Sequence, residues 1–215
     1  MYNFTFNIPT KIHFGKDTIS NLSELKAYGS KVLLVYGGGS IKKNGLYDTA
    51  MKILKDAGLT VFELSGVEPN PKIETVRKGV EICKNEGIDM VLAIGGGSTI
   101  DCSKVVAAGA KYDGDAWDLV LDGSKVKAAL PIFDVLTLSA TGTEMDPFAV
   151  ISDMSKNEKW GTGSPYMVPT MSILNPEYTF SVSKKQTAAG TADMMSHTME
   201  NYFSMENADL SLIHI

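Results

Sequence analysis

Apolar and polar positions alternate at the start of the chain through Phe4, Phe6 and Ile8, turn at Pro9, and resume at Ile12 and Phe14 before Gly15. That pattern predicts a hairpin or a pair of short strands. From Lys31 the periodicity changes. Val32 to Tyr36 is a continuous apolar run, as expected of a parallel strand buried on both faces, and a helical segment follows from Leu46 to Lys55. Val61 to Leu64 reads as a second strand, and Ile73 to Asn85 as a helix with Val76, Val80 and Cys83 at helical spacing. Met90 to Ile94 is another buried strand, Ile100 to Ala110 another helix, and Pro131 to Leu138 a further strand. Strand and helix alternating in this way predict an α/β fold, a doubly wound and mostly parallel sheet with right-handed crossovers.

Beyond Ser181 the character shifts. Ser183-Lys184-Lys185-Gln186 has the spacing of a capping box, in which the Ser183 hydroxyl and the Gln186 side chain satisfy opposite backbone donors. A helix then runs toward Phe203, with Gly190 as a weak point costing ~1 kcal/mol relative to alanine. The expected organisation is an α/β domain over residues 1–182 and the beginning of a helical domain over 183–215.

Composition narrows the function classes. The 20 basic and 25 acidic residues give a net charge of −5 with no basic cluster, which argues against a nucleic-acid partner. No signal peptide and no membrane-length apolar run is visible, and two cysteines, Cys83 and Cys102, do not make a disulfide framework. The expectation is a soluble, cytoplasmic protein.

One device is used twice. Gly37-Gly38-Gly39-Ser40 and Gly95-Gly96-Gly97-Ser98 each lie where a buried strand gives way to a helix. Glycines let backbone N–H groups approach an anion, the helix start adds the positive end of its dipole, and in an open α/β sheet such turns lie where ligands bind. Alone, either copy could be a tight turn; the repetition points to phosphate. Neither copy fits the Gly-x-Gly-x-x-Gly fingerprint or supplies a Walker lysine. The Tyr/Lys relay of short-chain reductases and a Gly-x-Ser-x-Gly elbow are also missing. A carboxylate and an imidazole, Asp193 and His197, stand one helical turn apart and could hold two corners of a divalent metal's shell, or could be structural. His13 reads as a surface or packing residue, and His214 is given no role.

Long motifs in order identify a resemblance. They include Pro9-Thr10-Lys11-Ile12-His13-Phe14-Gly15, Tyr36 to Gly45, Glu68-Pro69-Asn70-Pro71 and Gly95 to Asp101. Leu136 to Met145, Asn157-Glu158-Lys159 and Gln186 to His197 continue it. The chain resembles the iron-containing (group III) alcohol dehydrogenase family, in its NADPH-dependent butanol dehydrogenase and aldehyde reductase branch. The resemblance implies a Rossmann-like dinucleotide-binding domain followed by a helical domain holding one divalent metal, Fe2+ or Zn2+, through an aspartate and three histidines. Asp193 and His197 match the first two ligands, with the other two histidines downstream of this chain. Gly95, Gly96, Gly97 and Ser98 match the pyrophosphate segment, which Asp101 closes and orders. Asn70, Thr137, Thr141 and Lys159 match positions lining the cofactor, alongside Gly37, Gly38, Gly39 and Ser40. No carboxylate stands in the first glycine turn and Lys42 and Lys43 follow it, which favours NADP(H) over NAD(H).

The implied reaction is hydride transfer between the nicotinamide and a short or medium primary alcohol or its aldehyde, with aldehyde reduction as the physiological direction. A homodimer is the expected assembly of the complete protein. The abrupt apolar stretch Leu210-Ser211-Leu212-Ile213-His214-Ile215 leads to the expectation of an N-terminal fragment, inactive alone. Alternatives are another enzyme of the dehydroquinate synthase-like superfamily and a non-catalytic NADP-binding module.

Overall fold

The structure is a computed structural model, and it describes residue 5 and residues 7–203. Six strands form one sheet: β1 (Lys11–Phe14), β2 (Lys31–Tyr36), β3 (Thr60–Leu64), β4 (Met90–Gly95), β5 (Ile132–Leu136) and β8 (Met171–Leu174). Their order across the sheet is β1-β8-β5-β4-β2-β3, and every neighbouring pair is parallel. Two further strands, β6 (Phe148–Asp153) and β7 (Glu158–Gly163), make a separate antiparallel hairpin.

Successive residues of a strand point to opposite faces, and β2 shows why it must be apolar throughout. Leu33 and Val35 pack with α3 (Ile73–Glu86), α4 (Gly97–Gly109) and α5 (Ala116–Leu121) on one side of the sheet. Val32, Leu34 and Tyr36 pack on the other with α2 (Leu46–Asp56) and the 3-10 helix Thr18–Tyr28. Each buried aliphatic side chain contributes on the order of 1.5–3 kcal/mol, and both faces of the sheet are covered, as the doubly wound reading requires.

Two expectations need correction. The opening is not a hairpin among the described residues: β1 lies parallel to β8, with Lys11 opposite Met171, while Phe4 and Phe6 lie outside the described residues. Pro9 has no N–H to offer a ladder, and the chain is instead held beside β8 by Thr10 Oγ1 donating to the Pro169 carbonyl at 2.7 Å and Lys11 N–H to that of Thr170 at 3.0 Å. The helix expected from Ile100 begins at Gly97, because Thr99 and Ile100 N–H groups close onto the Gly96 carbonyl at 2.9 and 3.3 Å. The β6–β7 hairpin, α5 and β8 were not expected from the pattern.

The last helix, α6 (Lys184–Phe203), starts at the serine cap as expected, with Gln186 N–H donating to Ser183 Oγ at 3.3 Å. Its residues are almost all exposed, including Met194, Met195, Met199, Tyr202 and Phe203. Among the described residues no helix is long and apolar enough to cross a membrane. Residues 204–215, with the apolar stretch Leu210 to Ile215 and His214 among them, lie outside the described residues.

Candidate active site at the carboxyl edge of the sheet

The chain leaves β2, runs out to β3, and later returns to place β4 on the other side of β2. This reversal of direction opens a crevice at the carboxyl ends of β2 and β4, the usual ligand position in an open α/β sheet. Both glycine turns flank it. After β2, Gly37 to Gly39 lead into the four-residue helix α1 (Ser40–Lys43). Gly39 has φ +98°, and side chains added at Gly38 or Gly39 would meet open space. After β4, Gly96 caps α4 with its backbone and no side chain takes part. The N–H groups of Gly97 and Ser98 therefore have no partner within the helix, which makes them anion donors at the positive end of a 13-residue dipole.

The loop after β5 closes over this second turn. Thr137 N–H donates to the Gly95 carbonyl at 2.9 Å, and a Cβ on Gly97 would lie 3.3 Å from Thr141 Oγ1. Asn70 and Lys159, far apart in sequence, also meet: Lys159 Nζ donates to Asn70 Oδ1 at 2.7 Å. Asn70 adopts φ +54°, and the β6–β7 hairpin that carries Lys159 is docked by Ser152 N–H to the Pro71 carbonyl at 2.9 Å. Gly37 to Ser40, Gly95 to Ser98, Thr137, Thr141, Asn70 and Lys159 thus belong to one edge of the molecule.

Asp101 takes a different place from the glycines it follows. Its carboxylate accepts from Thr143 Oγ1 at 2.7 Å and from Val150 N–H at 3.0 Å. Burial pushes its pKa up against those two hydrogen bonds and the charge of Lys104. Asp101 orders the surroundings of the turn through other residues.

Asp193 and His197 share one face of α6, with Asp193 Oδ1 3.8 Å from His197 Nε2. Asp193 also lines a cavity of about 300 Å³ with Leu138, Ala140, Gln186, Ala189 and Gly190, so α6 faces the loop that covers the second glycine turn. An oxygen and an imidazole nitrogen at this separation fit two positions of a divalent metal's shell. Among the described residues no group of three or more His, Cys, Asp or Glu side chains comes together, so the pair is a partial donor set.

Several residues escaped the sequence reading. Lys104, on α4, is fully buried and its ammonium meets Thr143 and Asp146. The one signal available was a single cation inside the apolar run Cys102 to Ala110. Glu63, on β3, accepts from Tyr36 Oη at 2.6 Å and Tyr47 Oη at 2.8 Å and stands 3.9 Å from Lys42 Nζ. Asp134, in the middle of β5, is buried with Oδ2 2.6 Å from Ser172 Oγ, which is itself 2.7 Å from the Glu144 carbonyl. A hydroxyl has one proton to give, so both contacts are satisfied when a neutral Asp134 donates to Ser172 and Ser172 donates to Glu144. Burial, which pushes the Asp134 carboxyl well above its usual range, has the same sense. Cys83 and Cys102 are free and buried, their thiols pushed up to about 12 by burial.

The family model for iron-containing alcohol dehydrogenase matches residues 9–176. NADH-dependent butanol dehydrogenase A of Clostridium acetobutylicum is 62% identical over 205 residues, covering 95% of this chain and 53% of that protein. The NADPH-dependent aldehyde reductase of Escherichia coli is 40% identical over 205 residues, 94% of this chain and 52% of that protein. The crystal structure of NADH-dependent butanol dehydrogenase A from Thermotoga maritima superposes with a TM-score of 0.93 at 48% identity, covering 98% of this chain and 53% of that one. The chain spans about half the length of these relatives. It belongs to the iron-containing alcohol dehydrogenase family.

Proposed function

We propose that this chain supplies the dinucleotide-binding half of a metal-dependent alcohol dehydrogenase, which moves a hydride between a nicotinamide cofactor and a short or medium primary alcohol or aldehyde. The observation that carries the reading is the order of β2, β4 and β5 across the sheet. It sets three ligand-facing segments side by side: the Gly37–Ser40 turn, the Gly95–Ser98 turn and the loop from Thr137 to Thr141. A dinucleotide laid along them has its adenosine at the first, its pyrophosphate on the Gly97 and Ser98 N–H groups, and its nicotinamide beneath the loop beside Asp193. Lys159, held by Asn70, adds a cation to the same edge. Asp193 and His197 are the proposed first ligands of the divalent ion, iron or zinc, with α6 as the start of the helical domain. A metal bound there supplies a Lewis acid for the substrate oxygen.

The choice of dinucleotide deepens the reading. A turn without a carboxylate leaves room for a 2′-phosphate, and on the sequence alone that favours NADPH. Lys42 is a poor source of the matching charge, because it lies between the Tyr36 and Tyr47 rings, 5.0 and 4.4 Å from their centroids, and beside Glu63. The relatives named NADH-dependent are also the more similar, at 62% and 60% against 40% for the NADPH-dependent reductase. We therefore propose NADH as the preferred partner of this site.

Titration of the purified chain with NADH, followed by nicotinamide fluorescence and competed with ADP, tests the reading. Saturable binding displaced by ADP is expected, with no butanol oxidation by the chain alone. Absence of binding would remove the proposal.

A further inference from the structure

We infer that Lys104 is a positioning residue that holds the nicotinamide end of the site in register with its phosphate end. The inference rests on the proposed placement of the dinucleotide. Lys104 lies on α4, two turns below the Gly97 and Ser98 donors, and its side chain is fully buried. Its three ammonium N–H groups face four acceptors, one of them shared: Thr143 Oγ1 at 2.9 Å, the Asp146 carbonyl at 2.9 Å, Asp146 Oδ1 at 2.8 Å and the Phe148 carbonyl at 2.8 Å. All four acceptors fall within residues 143–148, the segment joining the Thr137–Thr141 loop to β6.

The network continues on the same helix. Thr143 accepts from Lys104 and donates its hydroxyl hydrogen bond to Asp101, which accepts a second one from Val150 N–H in β6. One helix thus carries the anion donors at its tip and, through Asp101 and Lys104, fixes both the end of the cofactor loop and the beginning of the hairpin that carries Lys159. On the far side the loop is tied once more, by Ser172 to the Glu144 carbonyl.

Stability alone does not call for a charge here. Burying an ammonium is unfavourable until its partners offset it, and well-packed apolar residues often do as well or better. What three N–H groups directed at four acceptors add is a single geometry for the segment they hold. A cation buried beside the Asp101 carboxylate on one helix, with its other partners all in residues 143–148, is therefore best explained by what it aligns.

Lys104→Met, compared with the parent chain for binding of NADH and of ADP, separates alignment from general support. ADP uses the two glycine turns, whereas NADH also needs the loop. The expected result is NADH binding weaker by about tenfold with ADP within about twofold of the parent. Asp146→Asn, at a half-buried position that removes one charged partner, should show the same selectivity at smaller size, and it carries the test if Lys104→Met does not fold. Equal weakening of both ligands, or no change in either, overturns the role of Lys104. A parent chain that binds neither ligand overturns the placement of the dinucleotide, and this inference with it.

Discussion

Gly-Gly-Gly-Ser occurs after β2 and again after β4, and the two copies meet very different surroundings. Around Gly38 and Gly39 there is open space, Gly39 needs a left-handed backbone, and the helix that follows is one turn long. Around Gly95, Gly96 and Gly97 there is protein: Thr99 against the first, Leu138 against the second, Thr141 against the third. None of these three has positive φ, and the helix that follows runs for 13 residues through the core. Identical residues therefore answer different physical needs. In the first copy Gly39 is needed for backbone conformation, Gly38 and Gly39 leave an open approach, and only Gly37 is crowded, 3.2 Å from the Val67 carbonyl. In the second copy glycine is needed because strand, helix and loop converge too closely for a side chain.

Substitution by alanine should separate the copies. At Gly95 a Cβ would lie 2.5 Å from Thr99 Oγ1 and 2.8 Å from Thr99 Cβ, inside a buried turn with little room to relax. Gly95→Ala should cost about 1–3 kcal/mol, a fall of several degrees in Tm by calorimetry, and should abolish NADH binding because the donor turn moves. A variant that melts with the parent would break the contrast at its strong end. Gly39→Ala meets no atoms but is forced into φ +98°, so about 1–2 kcal/mol of destabilisation is expected from backbone strain alone. Gly38→Ala has neither problem and should melt within about 0.5 kcal/mol of the parent, yet bind NADH more weakly if the adenosine rests there. Unchanged affinity in Gly38→Ala would mean that the open space at the first turn is not ligand space.

The second turn is also the one surrounded by buried ionisable groups, and pH should expose this. Burial holds the Asp134 carboxyl well above its usual value of 3.8, so the folded chain keeps a proton that the unfolded chain releases. Stability is then full below that value and declines as pH rises toward the folded-state pKa. Asp134→Asn keeps a donor for Ser172 and removes the titration. The variant's Tm should gain on the parent by a few degrees as pH rises above 3.8 toward the raised folded-state value. A gap that stays constant with pH would mean that Asp134 is ionised in the fold.

How much of this could be read beforehand follows the same division. β2 and β4 were legible because strands buried on both faces must be apolar at every position, and their ends were marked by glycine. The strand at Ile12 and Phe14 was legible too, but its pairing was not, because β8 lies some 160 residues away and no local alternation encodes it. The candidate site residues visible in the residues themselves were the glycine triplets and the Asp193–His197 pair, whereas Asn70, Thr137, Thr141 and Lys159 entered only through the family resemblance. Lys104, Asp134 and Glu63 were missed because their meaning lies in distant partners. A charge in an apolar helix or strand becomes interpretable only once the Thr143–Asp146 segment, Ser172 or the two tyrosines are seen to face it.

Glu63 offers the finest test of what distinguishes the first turn. Burial pulls its carboxyl up, but hydrogen bonds from Tyr36 and Tyr47 and the charge of Lys42 outweigh this and leave it below the usual range. It is therefore an anion at neutral pH, and it offsets the charge of Lys42, one of the two lysines behind the first turn. Glu63→Gln preserves an acceptor for the tyrosines and leaves Lys42 uncompensated. The ratio of NADPH to NADH affinity should rise about two- to fivefold, in low salt more than in high, because both side chains are well exposed and the field is screened. The additional substitution Lys42→Ala should return the ratio to its starting value. If Glu63→Gln leaves the ratio unchanged at every salt concentration, Lys42 does not reach the ribose, and cofactor choice at this turn lies with the backbone of Gly37 to Ser40.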